Sequence, residues 1–230
     1  MKKAIVLGIA GSFGKEIAKV LVNNGYEIIG TYHLRFPSDD SFYMQKNIKL
    51  FQLSFDIRGS IDNFCDKINN LGKIDLVINT VANNLKFNRF EKINIKDFEE
   101  DMGVNCINNI YFLQKILSKL NEGANVVFIL TEMVFGEPPS YFSSYVTSKY
   151  ALLGFMKSLA GEFKQKEIRV NGVSPGMADT KFILGLPSFI KEKYKQSSPL
   201  KSLVKPSEVA NAILKIISDQ SINGQNILVN

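Results

Sequence analysis

Short apolar runs alternate with helix-period segments along the whole chain. Residues 4–8 (AIVLG), 26–32 (YEIIGTY), 49–55 (KLFQLSF), 74–80 (IDLVINT), 124–131 (ANVVFILT), 168–174 (IRVNGVS) and 225–230 (QNILVN) read as strands, most of them apolar on both faces. Between them, residues 13–25, 61–72, 106–120, 148–163 and 207–219 repeat apolar positions at helical spacing. Strands apolar throughout need cover on both faces, and right-handed crossovers place helices above and below a parallel sheet. The pattern predicts an α/β fold, a doubly wound parallel sheet of about seven strands, with residues 1–230 forming a single domain. In such a sheet, ligands bind beyond the carboxyl ends of the strands, so the residues that follow each strand are the candidates for function.

Composition narrows the picture. The chain has 230 residues, 45% hydrophobic and 22% charged, as expected of a soluble globular protein. The first apolar run is too short and too soon glycine-rich for a secretory or membrane segment. Two cysteines, Cys65 and Cys106, form neither a CxxC pair nor a disulfide scaffold, which suits a reducing cytoplasm. With one histidine, His33, the sequence cannot build a histidine-rich metal site, and no metal is expected. His33 also lies near no nucleophile-elbow motif, which disfavours a Ser-His-Asp hydrolase. The net charge of +6 comes from scattered lysines with no aromatic-basic motif, so it reads as a solvated surface and not as a nucleic-acid site.

The segment VLGIAGSFGKEIAKVL spaces Gly8, Gly11 and Gly14 by three, between a strand and a helix. Gly8 can make the tight turn, and small residues let a pyrophosphate reach the N–H groups that open the helix, with Ser12 and Phe13 in its first turn. This is the phosphate-binding arrangement of a Rossmann fold, although three glycines alone are a weak signal.

Together with further motifs, the chain resembles the short-chain dehydrogenase/reductase family, in its single-domain branch and similar to β-ketoacyl-ACP reductases. The resemblance implies NAD(P) binding on a Rossmann sheet. It places Asp56, with Ile57 beside it, against the adenine after the third strand, and Asn79 and Ala82 in a loosened form of the family's Asn-Asn-Ala-Gly stretch. In RVNGVSPGMADT it sets Pro175 and Gly176 at a turn and Thr180 at the nicotinamide carboxamide. Ser12 departs from the pattern, standing where single-domain members usually carry a glycine. The second strand ends in Thr31-Tyr32-His33-Leu34-Arg35, with no carboxylate for a ribose 2′-hydroxyl. Arg35, with His33 and Lys15, could face a 2′-phosphate, which favours NADP(H) over NAD(H).

Tyr145 and Lys149 are four apart in SSYVTSKYALLGF and share one helix face, where a cationic lysine would favour the phenolate. By the resemblance, Tyr145 is the general acid of ketone reduction, Lys149 holds the ribose and the phenol, and Asn105 helps hold a water behind Lys149. The family's substrate-binding serine falls 13 residues before the tyrosine, at Glu132, a carboxylate that would oppose a developing alkoxide. Thr131, one residue earlier, takes the serine role. Ser143 and Ser144 are expected to cap the helix.

A substrate lid is expected near residues 181–203, where lysines could attract an anionic substrate or simply face solvent. The substrate would be a small-molecule carbonyl compound or acyl thioester. Leu152, Leu153, Phe155, Met156 and Leu159 exceed what one sheet contact needs and suggest a homodimer or homotetramer. Ser12, the altered NTVA stretch and Glu132 also motivate an alternative: a weak or inactive dinucleotide-binding sensor or structural subunit.

Overall fold

Alternation along the central strands decides which helix covers which face. In the computed structural model, which describes residues 1–198 and 201–230, the strands are β1 (Lys2–Leu7), β2 (Tyr26–Tyr32), β3 (Ile48–Gln52), β4 (Ile74–Asn79), β5 (Leu120–Ile129), β6 (Arg169–Pro175) and β7 (Asn226–Val229). They form one parallel sheet in the order β3-β2-β1-β4-β5-β6-β7. Ala4 and Val6 of β1, Leu76 and Ile78 of β4, and Val127 and Ile129 of β5 point to one core. Their neighbours Ile5, Leu7, Val77, Val126 and Phe128 point to the other. The register Ala4↔Leu76 and Val77↔Val126 keeps like faces together across the sheet.

Helices α1 (Ser12–Asn23) and α7 (Pro206–Ser218) cover the first face. Their buried residues Ile17, Ala18 and Leu21, and Val209, Ala210, Ile213 and Ile216, follow helical spacing. Helices α2 (Arg58–Lys67), α4 (Asn108–Ile116) and α5 (Ser143–Glu162) cover the second, through Phe64, Phe112, Ile116, Leu152 and Met156.

The predicted elements are present, with ends shifted by several residues, as in β5, which starts at Leu120, and α5, which starts at Ser143, and with three larger differences. β3 ends at Gln52 because it is an edge strand paired only with β2, and that pairing stops at Tyr32↔Gln52. The single helix expected over 106–120 is a π-helical turn at Gly103–Ile107, then α4, then a short 3₁₀ turn. Helix α3 (Ile95–Met102) was not anticipated, because its buried residue is Asp101 while its first apolar residue, Ile95, is exposed. The expected lid segment forms helix α6 (Ser188–Ser197), and positions 199 and 200 of that segment lie outside the described residues. No helix among the described residues is long and apolar enough to cross a membrane.

Strand order reverses between β1 and β4, and this opens a crevice at their carboxyl ends. Gly8 follows β1 with φ +79°. A methyl group on Gly14 would lie 2.2 Å from the Gly8 carbonyl oxygen and 2.7 Å from Ile9 Cα. Both obstacles are backbone, so the helix can start there only without a side chain. Gly14→Ala should therefore lower stability by about 1–3 kcal/mol, a drop of several degrees in Tm by scanning calorimetry.

Candidate active site

One cavity of about 830 Å³ lies over the carboxyl ends of the strands. At one end the glycine turn presents Gly11, Ser12 and Phe13, and α1 begins without any side-chain cap, so its first N–H groups face outward. A dinucleotide pyrophosphate suits this cradle, because free N–H groups and a helix N-terminus both favour an anion. Across the switch point, Thr80 stands where the family carries asparagine and donates its hydroxyl to the Leu7 carbonyl at 2.7 Å, tying β4 to β1.

The far end gathers Thr131, Tyr145, Lys149, Pro175, Gly176 and Thr180. Lys149 is 2% exposed, and its Nζ donates to the Ile129 carbonyl at 2.8 Å, which fixes the first turns of α5 to the end of β5. Among the described residues it pairs with no carboxylate, and burial pushes its ammonium down to about 8. Its Nζ lies 5.7 Å from the Tyr145 ring centroid. Burial pushes the Tyr145 phenol well above its ordinary range, and the Thr131 hydroxyl acts against this by hydrogen-bonding it. The sequence suggests that Lys149 would favour the phenolate; in the structure the largest influence on the phenol is burial, which acts the other way.

Asn105 is fully buried in the π-helical turn. Its amide nitrogen donates to Ser148 Oγ at 3.0 Å and its oxygen accepts from the Asn83 N–H at 2.9 Å. Ser148 in turn donates to the Tyr145 carbonyl at 2.7 Å. Asp101, 2% exposed, accepts from Asn83 Nδ2 at 2.9 Å and from Ser144 Oγ at 2.7 Å. Ser144 therefore does not cap α5; its hydroxyl is committed to a carboxylate 43 positions earlier, and the cap residue is Phe142, with no side-chain bond. Asn83, Asp101, Ser144 and Ser148 brace Tyr145 from both sides, and no local sequence signal marks them.

Other expected residues divide. Arg35, Lys15 and Ala82 line the cavity, and Arg35 and Lys15 pair with Asp39 and Asp40. His33, Asp56 and Ile57 are exposed and do not line it. Asn79 is buried and turned inward, bonding the Asn109 side chain and the Val81 N–H. Leu85, Met133, Phe182 and Ile183 supply an apolar wall beside Tyr145 that the sequence did not single out.

A family model described as Enoyl-(Acyl carrier protein) reductase matches residues 8–230. The chain is 30% identical to a 3-oxoacyl-(acyl-carrier-protein) reductase of Aquifex aeolicus, over 100% of its own length and 96% of the relative's. It is 25% identical to an acetoacetyl-CoA reductase of Acinetobacter sp., with 100% and 96% covered. A short chain dehydrogenase family protein from Francisella tularensis superposes with a TM-score of 0.88 at 25% identity, covering 100% of this chain and 97% of that one.

Asp101→Ala would leave the buried Ser144 hydroxyl and the half-buried Asn83 amide without an acceptor. The expected loss is about 2–4 kcal/mol in urea unfolding. Asp101→Asn, which keeps an acceptor oxygen, should lose less than half as much.

Proposed function

The chain belongs to the short-chain dehydrogenase/reductase family, and from that premise we propose that it reduces the ketone of a 3-oxoacyl thioester, with NADPH as the hydride donor. The observation that carries this reading is the convergence of Thr131, Tyr145 and Lys149 on one wall of the cavity that also receives the glycine turn. The nicotinamide, when bound, supplies the hydride. Gly11, Ser12 and Phe13 would hold its pyrophosphate, Lys149 its ribose, and Pro175, Gly176 and Thr180 its nicotinamide end.

The protein's own work is to hold the carbonyl oxygen and protonate it. The Thr131 oxygen accepts from the Met133 N–H at 3.4 Å, and its hydroxyl, beside the Tyr145 phenol, would turn its hydrogen to the substrate oxygen when a carbonyl enters. Tyr145 stays protonated at neutral pH because burial disfavours the phenolate, so it can donate its proton as negative charge develops on the substrate. The ammonium of Lys149, anchored to Ile129, stabilises the phenolate left behind. In the family that the chain resembles, the enoyl-reductase branch usually carries a wider Tyr–Lys spacing, so the four-residue spacing supports carbonyl chemistry over the reduction of a C=C bond.

Arg35 and Lys15 at the adenosine end support NADP(H) over NAD(H): a 2′-phosphate could take the places of Asp39 and Asp40 beside them. The binding-only alternative is not favoured, since the chain retains Asn105, Tyr145 and Lys149 together and matches reductases along its full length. Of the residues that suggested an oligomer, Leu152, Met156 and Leu159 are buried in the chain's own core, while Leu153 and Phe155 are only partly buried against it. A homodimer or homotetramer would use Leu153 and Phe155 together with Ile107 and Tyr150, which remain exposed beside α4 and on α5.

Wild-type protein should bind NADPH more tightly than NADH in fluorescence titration and oxidise it with acetoacetyl-CoA. Tyr145→Phe should keep the NADPH affinity and lose about 100-fold or more in kcat; turnover near wild type would contradict the assignment. The kcat/KM profile reports groups of the free protein. It should fall as pH rises through about 8, where Lys149 loses its charge while Tyr145 remains protonated.

A further inference from the structure

Helix α6 is held to the body of the protein by very little. None of its ten residues is fully buried, and Phe189, 61% exposed, reaches the Phe87 ring only at 6.5 Å between centroids. Ile190 packs at the edge of the cluster around Phe142 and Tyr145. A helix with so small an apolar contact relies on its few other ties. The polar side-chain tie from it to the body runs through Tyr194, whose OH donates to Glu132 Oε2 at 2.9 Å with the Met177 N–H beside it.

Glu132 directly follows Thr131, in the 3₁₀ turn at the end of β5. The Met177 N–H lies beside its carboxylate and Tyr194 OH, and it borders both the main cavity and a second one of about 420 Å³ beneath α6. Gly176 is an independent witness to this contact. A methyl group there would lie 2.2 Å from Tyr194 OH and 3.0 Å from Glu132 Oε2, so the bond fits only because that position has no side chain. The carboxylate that is wrong for holding an alkoxide is thus committed to the phenol of α6.

We propose that Glu132 and Tyr194 are lid-positioning residues, whose hydrogen bond seats α6 against the wall carrying Thr131 and thereby sets the affinity for substrate. The substrate half of this statement rests on the reductase reading; the seating of α6 does not.

Hydrogen exchange followed by mass spectrometry on peptides covering residues 188–197 tests it without any substrate. In Tyr194→Phe and Glu132→Ala, α6 should exchange at least fivefold faster than in wild type, while peptides from β1 and β4 stay unchanged. Glu132→Gln, whose amide oxygen still accepts, should fall between. In Tyr194→Phe the KM for acetoacetyl-CoA should rise about three- to tenfold with kcat within twofold and NADPH affinity unmoved. Unchanged α6 exchange overturns the proposal, as does faster exchange with an unmoved KM. A wild type that turns over no 3-oxoacyl thioester counts against the reductase reading, and the exchange result still decides the latch.

Discussion

The ammonium group of Lys149 is buried at the end of β5 with a backbone carbonyl, that of Ile129, as its hydrogen-bond partner. A cation in such a place is costly unless something holds it, and here the holding atom belongs to the sheet itself. The bond therefore docks the start of α5 on the strand end, and that docking brings Tyr145 beside Thr131. The same burial shifts both groups: the lysine is eased toward neutrality and the phenol is kept protonated. Both shifts oppose a phenolate in the free protein, so proton transfer from Tyr145 depends on Lys149 keeping its charge.

The rest of the structure supports that docking. Asp101 and Asn105, from α3 and the π-helical turn after it, reach α5 at Ser144 and Ser148, immediately before Tyr145 and Lys149. Asn83, in the loop after β4, closes the network by bonding both. At the opposite end of the cavity the constraint is steric. The Gly8 carbonyl occupies the space a Gly14 side chain would need, so α1 begins close against the turn with its N–H groups exposed to the cavity. Strand order reverses between these two ends, so a dinucleotide could lie with its phosphates at α1 and its reactive ring near Tyr145.

The parts of this arrangement that were legible in the sequence are those with a local cause. Alternating or continuous apolar runs give the strands, and both cores use that alternation. The glycine turn is visible because backbone crowding removes side chains at fixed spacing. The Tyr145–Lys149 pair is visible because a helix turn sets its separation. Asp101, Ser144 and Asn83 could not be read, since each depends on a partner at least 18 positions away and none follows a periodic pattern. Ser144 was misassigned for the same reason: a serine at a helix start has a local role available, and the distant carboxylate that claims it leaves no trace nearby. Burial was the other hidden variable. It raises the Tyr145 phenol and lowers the Lys149 ammonium, and it places Leu152, Met156 and Leu159 of α5 inside the chain while Leu153 and Phe155 stay half-buried.

The most direct test of the account is the fate of the transferred hydrogen. NADPH carrying deuterium at C4 on the face used by the enzyme should deliver one deuterium to the new carbinol carbon of the product formed from acetoacetyl-CoA, read by mass spectrometry, with each stereoisomer of labelled cofactor tried in turn. Label on that carbon from one isomer is the result the account predicts. Tight NADPH binding with no label in any product from either isomer would contradict it.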